Sequence, residues 1–343
     1  MRYRRVCVEV IRYELPPTVV TSAMLEERLA PVYDALRIPH GQIEALTGVR
    51  ERRWWAPGQT MAAAAAAAGR KALDACDIPR DAIGMLIYGG VCRDHVEPAT
   101  ACAVADALDL PGQTELYDVS NACLGVLNGV VQIANAIELG QVRAGLAVSA
   151  ETARPIVEQT IARLTANPTM DVFKTSLATL TGGSGAVAVV VVHEDLARHG
   201  HRLLGGVARS EAQHHRLCWW GGEGDGDAAP MLHTHAVELL EAGVALGART
   251  WSDFREALQW DDLPDRVVCH QVGRANRDAI LRALEIPPER DFATFPFLGN
   301  IGTVSLPITA AIAEQRGVIE PGQRVGWLGI ASGLNCLMLG LDW

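Results

Sequence analysis

The chain of 343 residues is 49 % hydrophobic but only 5 % aromatic, with 33 glycines, the profile of a tightly packed α/β protein large enough for one two-lobed body or two similar domains. A net charge of −10 with no basic stripe excludes a general nucleic-acid binder. Eight cysteines without a C-x-x-C pair, an N-terminus with no signal-peptide pattern and no apolar stretch of the roughly 18–20 residues a membrane span needs point to a cytoplasmic protein with reduced thiols, and exclude a disulfide framework, a zinc site and a transmembrane segment.

Residues 3–12 alternate as a strand, and 22–36 read as one helix with Thr21 or Ser22 as N-cap. The charged and aromatic stretch Gly48–Trp55 is a surface loop or a short strand. The Ala62–Ala68 run makes 60–77 a strong helix. Ile83–Gly89 reads as a buried strand, about 100–109 as a helix, and Glu115–Ser120 as a strand. The stretch Asp118–Gly129 (DVSNACLGVLNG) then gives a strand end, a sharp turn and a helix starting at Cys123 that stays apolar on every face as far as Ile137. A helix of that kind is buried inside a large core. Arg143–Ala150 is a further buried strand, 153–180 a helical excursion, and Gly185–Val192 a long β run that closes a first half at residue 193.

The second half, 194–343, repeats the plan. The segment from Arg70 to Pro79 matches that from Arg255 to Pro264, an offset of 185 residues (255 − 70), and the turn at Cys123 matches Thr303, an offset of 180 (303 − 123). Repeats that keep both order and offset indicate an internal duplication. Alternating strands and helices predict mostly parallel buried sheets. Two such halves facing each other predict a five-layer αβαβα body with pseudo-symmetric halves, the helices from Cys123 and Thr303 sharing the middle layer. The stretch 211–232 is a Gly/Asp-rich excursion from this plan.

A cysteine in an apolar run is more often inert packing than a nucleophile. Cys123, however, stands at a helix N-terminus, where free N–H groups and the helix dipole are expected to lower the thiol pKa. A nucleophilic thiol needs an acid/base partner and an oxyanion site. Candidates lie in the second half: His270 at the end of a buried strand, Asn300 in a Gly-flanked loop before the pseudo-symmetric helix, and Ser332 in a Ser-Gly turn that could aim a backbone N–H inward. The duplication puts Cys123 and the Asn300 loop at related helix ends, hence in one cavity. His214, His215, His233 and His235 lack the acidic or thiol partners of a metal site and read as surface residues, and the Thr181–Gly185 glycines lead into a strand rather than a phosphate-binding helix.

These residues resemble the Cys-His-Asn set of the ketoacyl synthase III-like branch of the thiolase superfamily, over the whole chain from about residue 5. Five motifs in order, Cys92–Pro98, Asn121–Leu124, His270–Arg274, Gly299–Gly302 and Leu328–Cys336, are similar to the OleA family, the condensing enzymes of bacterial long-chain olefin biosynthesis. The resemblance implies a thiolase-like fold and a non-decarboxylative Claisen condensation of two fatty acyl-CoA molecules to a 2-alkyl-3-oxoacyl-CoA, the first step toward an olefin or β-lactone. It implies that Cys123 carries the first acyl group, that the N–H groups of Cys123 and Ser332 form the oxyanion hole, and that His270 and Asn300 stabilise the enolate of the second. Glu97 would be the general base, since an unactivated acyl chain must lose an α-proton, and would be lent by the neighbouring subunit of a homodimer, its pKa raised by partial burial. Without the resemblance Glu97 reads as a solvated loop residue. The resemblance further implies no cofactor or metal, acyl-CoA thioesters as substrates, and downstream pathway enzymes as further partners. The alternatives are a malonyl-dependent 3-oxoacyl synthase, which generates its carbanion by losing CO₂, a Cys-His-Asn hydrolase and a non-catalytic partner subunit. No match to the Trp and Arg residues that hold the CoA adenine in synthase III is assigned, although Arg50, Arg52, Arg53, Trp54 and Trp55 lie in that neighbourhood.

Overall fold

The computed structural model describes residues 1–221 and 231–343, so part of the 211–232 excursion lies outside the described residues. The chain opens with β1 (Val6–Glu14), β2 (Thr18–Thr21), α1 (Ser22–Arg28), α2 (Ala30–Leu36), α3 (Gln42–Thr47) and β3 (Glu51–Trp54). The single helix expected over 22–36 is broken at Leu29, because Pro31 in the first turn of α2 has no N–H to continue the preceding helix. Thr21 is the N-cap, accepting from the Met24 N–H. Of the two readings of Gly48–Trp55 the short strand holds, as β3, but it is buried: Arg52, fully buried, donates to the Val20 and Leu180 carbonyls and to Ser22 Oγ, and Trp54 and Trp55 are buried as well.

The remainder of the first half runs α4 (Met61–Asp74), β4 (Ile83–Gly89), α5 (Thr100–Ala107), β5 (Glu115–Val119), α6 (Gly125–Glu138), β6 (Ala144–Glu151), α7 (Arg154–Ala166), α8 (Met170–Leu180) and β7 (Gly185–His193). The second half follows with β8 (His201–Ser210), β9 (Cys218–Gly221), β10 (Met231–Thr234), α9 (Ala236–Leu258), β11 (Arg266–Cys269), α10 (Arg274–Ala283), α11 (Phe295–Leu298), α12 (Ser305–Gln315), β12 (Arg324–Ala331) and β13 (Asn335–Asp342).

Nine strands form one ladder in the order β11-β12-β13-β8-β1-β7-β6-β4-β5. It is pinched in the middle, where β1 and β8 meet only through Cys7 opposite Arg202 and Val8 opposite His201. On either side of the pinch the order repeats, with β8, β11, β12 and β13 answering to β1, β4, β6 and β7. The counterpart of β5 shrinks to a single parallel bridge between Val267 and Asp291. The expectation of mostly parallel sheets is corrected. Pairs β4–β5, β4–β6 and β11–β12 are parallel, but β6–β7, β1–β7, β12–β13 and β8–β13 are antiparallel. The β12–β13 case has a simple cause: a three-residue turn can return the chain only as a hairpin.

The layers follow the hydrophobic pattern. The apolar helices α6 and α12 share a core walled by the inner faces of both halves of the ladder. The Ala-rich α4 and α5 cover the outer face of the first half, and α9 and α10 that of the second. A fourth cluster packs α1, α2, α7 and α8 together. The Val126 N–H at the start of α6 donates to Thr303 Oγ1 just before α12 (2.8 Å), a buried bond between the two halves at the centre of the middle layer. No helix among the described residues is long and apolar enough to cross a membrane.

Candidate active site

Where the two central helices begin, the structure encloses a cavity lined by Cys123, His270, Asn300 and Ser332. Its walls are otherwise mostly apolar, from Leu239 and Val244 on α9 to Ile280 on α10 and Met338 on β13. Three of the four predicted catalytic side chains and the predicted oxyanion residue thus share one space.

Cys123 sits on a tight elbow between β5 and α6, two residues before the helix starts. Ala122, just before it, has φ +44°, a left-handed conformation costly for a residue with a Cβ. A chain of amides holds the elbow. Asn121 donates to Asn128 Oδ1 (2.8 Å) and accepts from Asn335 Nδ2 (2.9 Å), while Ser210 Oγ donates to Asn335 Oδ1 (2.6 Å), tying the elbow to the second half. The start of α6 packs directly on the end of β4: a Cβ on Gly125 would lie 2.7 Å from the Gly89 carbonyl carbon, so backbone meets backbone there.

The expected lowering of the Cys123 pKa is corrected. Burial, reinforced by neighbouring Cys218 and Glu151, pushes the thiol up to about 12. The helix start cannot offset the cost of placing a sulfur anion in an apolar enclosure. His270 moves the other way, its pKa lowered by burial to about 4, so its imidazole is neutral at physiological pH. It follows the last residue of β11, its N–H bonded to the Leu328 carbonyl (3.0 Å), and its Nδ1 is buried with no partner among the described residues. The next residue, Gln271, fixes this strand end: its Nε2 donates to the Cys269 carbonyl, and its Oε1 accepts from the Thr294 and Phe295 N–H groups. Asn300 is set by backbone bonds to Thr181 and Gly183, and its Oδ1 accepts from the Gly302 N–H (3.1 Å). That bond commits the amide oxygen and leaves the NH₂ group as the donor. Neutral thiol, neutral imidazole and amide donor form a site suited to acyl transfer.

Glu97 does not line the cavity. It is exposed at the tip of the 90–99 loop, beside Val96 at 97 % exposure, so the expected partial burial is absent in the single chain. The reason is the way the loop is held. Asp94 accepts from the Met61 and Ala62 N–H groups at the start of α4, Asp118 accepts from Thr100 and Ala101, and the tip projects from between these anchors. Two features escaped the sequence reading. The amide chain through Asn335 could not be seen because its members are far apart in sequence. Glu151, buried near Cys123, did leave a signal, a lone carboxylate closing the otherwise uncharged strand AGLAVSAE. Of the histidines read as surface residues, His215 and His235 are exposed, while His214 and His233 are half-buried and His233 stacks on Trp219. Among the described residues no three ligand-type side chains gather as a metal site.

Residues 255–343 match the family model for the C-terminal part of 3-oxoacyl-[acyl-carrier-protein] synthase III. The chain is 51 % identical, over the full length of both proteins, to the acyl-CoA:acyl-CoA alkyltransferase of Shewanella oneidensis, and 34 % identical, again over both full lengths, to that of Xanthomonas campestris. Among solved structures it is similar to a cysteine-to-alanine variant of Xanthomonas campestris OleA, with a TM-score of 0.94 and 34 % identity over 100 % of this chain and 98 % of that one. A cysteine-to-serine variant of the same enzyme with bound lauric acid and lauroyl-CoA gives a TM-score of 0.93 and 34 % identity over 99 % and 100 % of the two chains.

Proposed function

The chain belongs to the family of acyl-CoA:acyl-CoA alkyltransferases, the thiolase-fold acyltransferases that include OleA, and from that premise we propose that it joins two long-chain fatty acyl-CoA molecules by a non-decarboxylative Claisen condensation. The observation that carries this reading is the meeting of Cys123, His270 and Asn300 in one mostly apolar cavity.

In the first half-reaction the Cys123 sulfur attacks the thioester carbonyl of one acyl-CoA. His270, neutral because it is buried, takes the thiol proton and returns it to the departing CoA sulfur. The N–H groups of Cys123 and Ser332 hold the oxyanion. In the second half-reaction Glu97 of the partner subunit removes an α-proton from a second acyl-CoA, whose enolate oxygen is held by His270 and the Asn300 NH₂. The enolate carbon attacks the Cys123 thioester, the C–S bond breaks to release Cys123 as a thiolate that takes back the proton removed by Glu97, and a 2-alkyl-3-oxoacyl-CoA leaves. The acyl-CoA thioesters are the only substrates, and no cofactor or metal takes part. We place the enzyme in the cytoplasm as a homodimer acting at the first step toward an olefin or β-lactone, its product passing to downstream pathway enzymes.

The synthase III match keeps a second reading in play, decarboxylative condensation with a malonyl thioester. Protein given myristoyl-CoA alone separates the two. The proposal expects the condensed product, seen as a ketone after hydrolysis and decarboxylation, and a strict requirement for malonyl thioester overturns it. Release of free myristate and CoA alone marks a hydrolase. Cys123→Ser is expected to abolish acyl transfer, whereas Glu97→Ala retains a myristoyl adduct on Cys123 by intact-protein mass and makes no ketone. Equal loss of both steps in Glu97→Ala removes Glu97 as the base.

A further inference from the structure

Glu151 ends β6 with a buried side chain, and no lysine, arginine or histidine pairs with it among the described residues. A carboxyl so placed costs stability unless its hydrogen bonds or its role compensate. Its oxygens accept from two successive N–H groups at the root of the 90–99 loop, Oε1 from Val91 (3.2 Å) and Oε2 from Cys92 (3.4 Å). The other side of the same carboxyl faces the Asn300 loop. A Cβ added to Gly302 would lie 3.3 Å from Glu151 Cγ and 3.4 Å from Cδ, and a Cβ on Gly90 3.2 Å from Oε1. Two more contacts fasten the seam. Cys92 Sγ lies 3.5 Å from both the N–H and the carbonyl oxygen of Thr152, and the Tyr88 hydroxyl bonds at 2.6 Å to the Cys92 carbonyl. One carboxyl therefore bonds to the loop that presents Glu97 and lies close against the loop that presents Asn300, where a glycine leaves it room.

We propose that Glu151 is a positioning residue for the carbon–carbon bond-forming step, bracing the Glu97 loop and the Asn300 loop against each other. The proposal rests on the reading of Glu97 as the base. As carboxylate, Glu151 accepts both N–H bonds; protonated, it gives up part of that grip. Burial raises its pKa to about 7, so the brace tightens as pH rises through neutrality. The titratable groups that face it are Cys92 on the loop, Tyr88 on β4 and Cys123 before α6. All three have raised values and stay neutral there, so none masks the transition.

The test compares native protein, Glu151→Gln and Glu97→Ala with myristoyl-CoA as substrate, reading the Cys123 adduct by mass and the kcat and KM of condensation between pH 5.5 and 8.5. For Glu151→Gln the expected result is a roughly tenfold to hundredfold lower kcat, the effect of a small misplacement. KM stays near native, the Cys123 adduct still forms, and the rise in kcat near pH 7 disappears. Native kcat with the native pH profile overturns the proposal, and so does parallel loss of adduct and condensation, which marks a merely structural residue. Should Glu151→Gln not fold, Glu151→Asp, which keeps the charge but draws it back from the Val91 and Cys92 N–H groups, is expected to lower kcat in the same selective way, and a native kcat there overturns the brace. Glu97→Ala acts as the separate control. If it condenses normally the base assignment itself fails, whereas if it is inactive and Glu151→Gln is native, only the brace fails.

Discussion

The ionisation of two residues sets the chemistry at the smallest scale. Cys123 is a thiol at neutral pH and His270 an unprotonated imidazole, so in the proposed reaction the sulfur is activated by proton transfer during attack, not by a standing thiolate–imidazolium pair. Glu151 has the opposite problem, a carboxyl whose folded pKa of about 7 lies above its unfolded value of 4.5. Between these values the folded state holds a proton that the unfolded state has lost, so its contribution to stability is full below about 4.5 and is lost as pH rises through about 7. Glu151→Gln should therefore gain on the native protein by about 3 kcal/mol from pH 4.5 to pH 8. Denaturant midpoints at both ends of that range measure it, and a pH-independent gap would mean that the carboxyl does not titrate where stated.

Among the elements, the elbow before α6 is the part most exposed to damage. Its left-handed Ala122 is kept in place by the Asn128–Asn121–Asn335–Ser210 chain, which crosses from the first half to the second. Asn335→Ala removes the bond of this chain that reaches across. We expect a loss of about 1–3 kcal/mol in stability, the cost of an unsatisfied amide. We also expect slower acylation of Cys123, followed by rapid-quench mass spectrometry; unchanged acylation would show that the elbow holds itself. The elements were mostly legible from periodicity and propensity: β4 falls where Ile83–Gly89 was read, and α4 follows the alanine run to within a few residues. The misreadings have local or topological causes. Pro31 split a helix, and antiparallel pairing within each half depends on how the chain returns to the ladder, which a buried strand's own composition does not record.

For the whole molecule, the position of Glu97 argues for a second copy. The proposed base, left exposed on a loop capped by a nearly fully exposed Val96, is useful only where another surface receives it. Val96→Glu is expected to weaken the proposed dimer in light-scattering measurements and to lower condensation together with it, while a single subunit still forms the Cys123 adduct. A dimer of native strength that condenses at the native rate would show that this loop is not at the interface. The two halves build one cavity in any case, because the candidate nucleophile comes from one and the imidazole and amide from the other.

The sequence by itself determined the layered duplicated fold, the apolar helix behind Cys123, and the candidacy of His270 and Asn300, because hydrophobic periodicity and an internal repeat are written locally and survive without coordinates. The tertiary structure alone decided that Cys123 is held as a thiol, that Glu151 lies beneath two loops, and that Glu97 faces outward. Each of these depends on the dielectric and the neighbours that distant segments bring to a group once the chain has folded, and no local pattern encodes them.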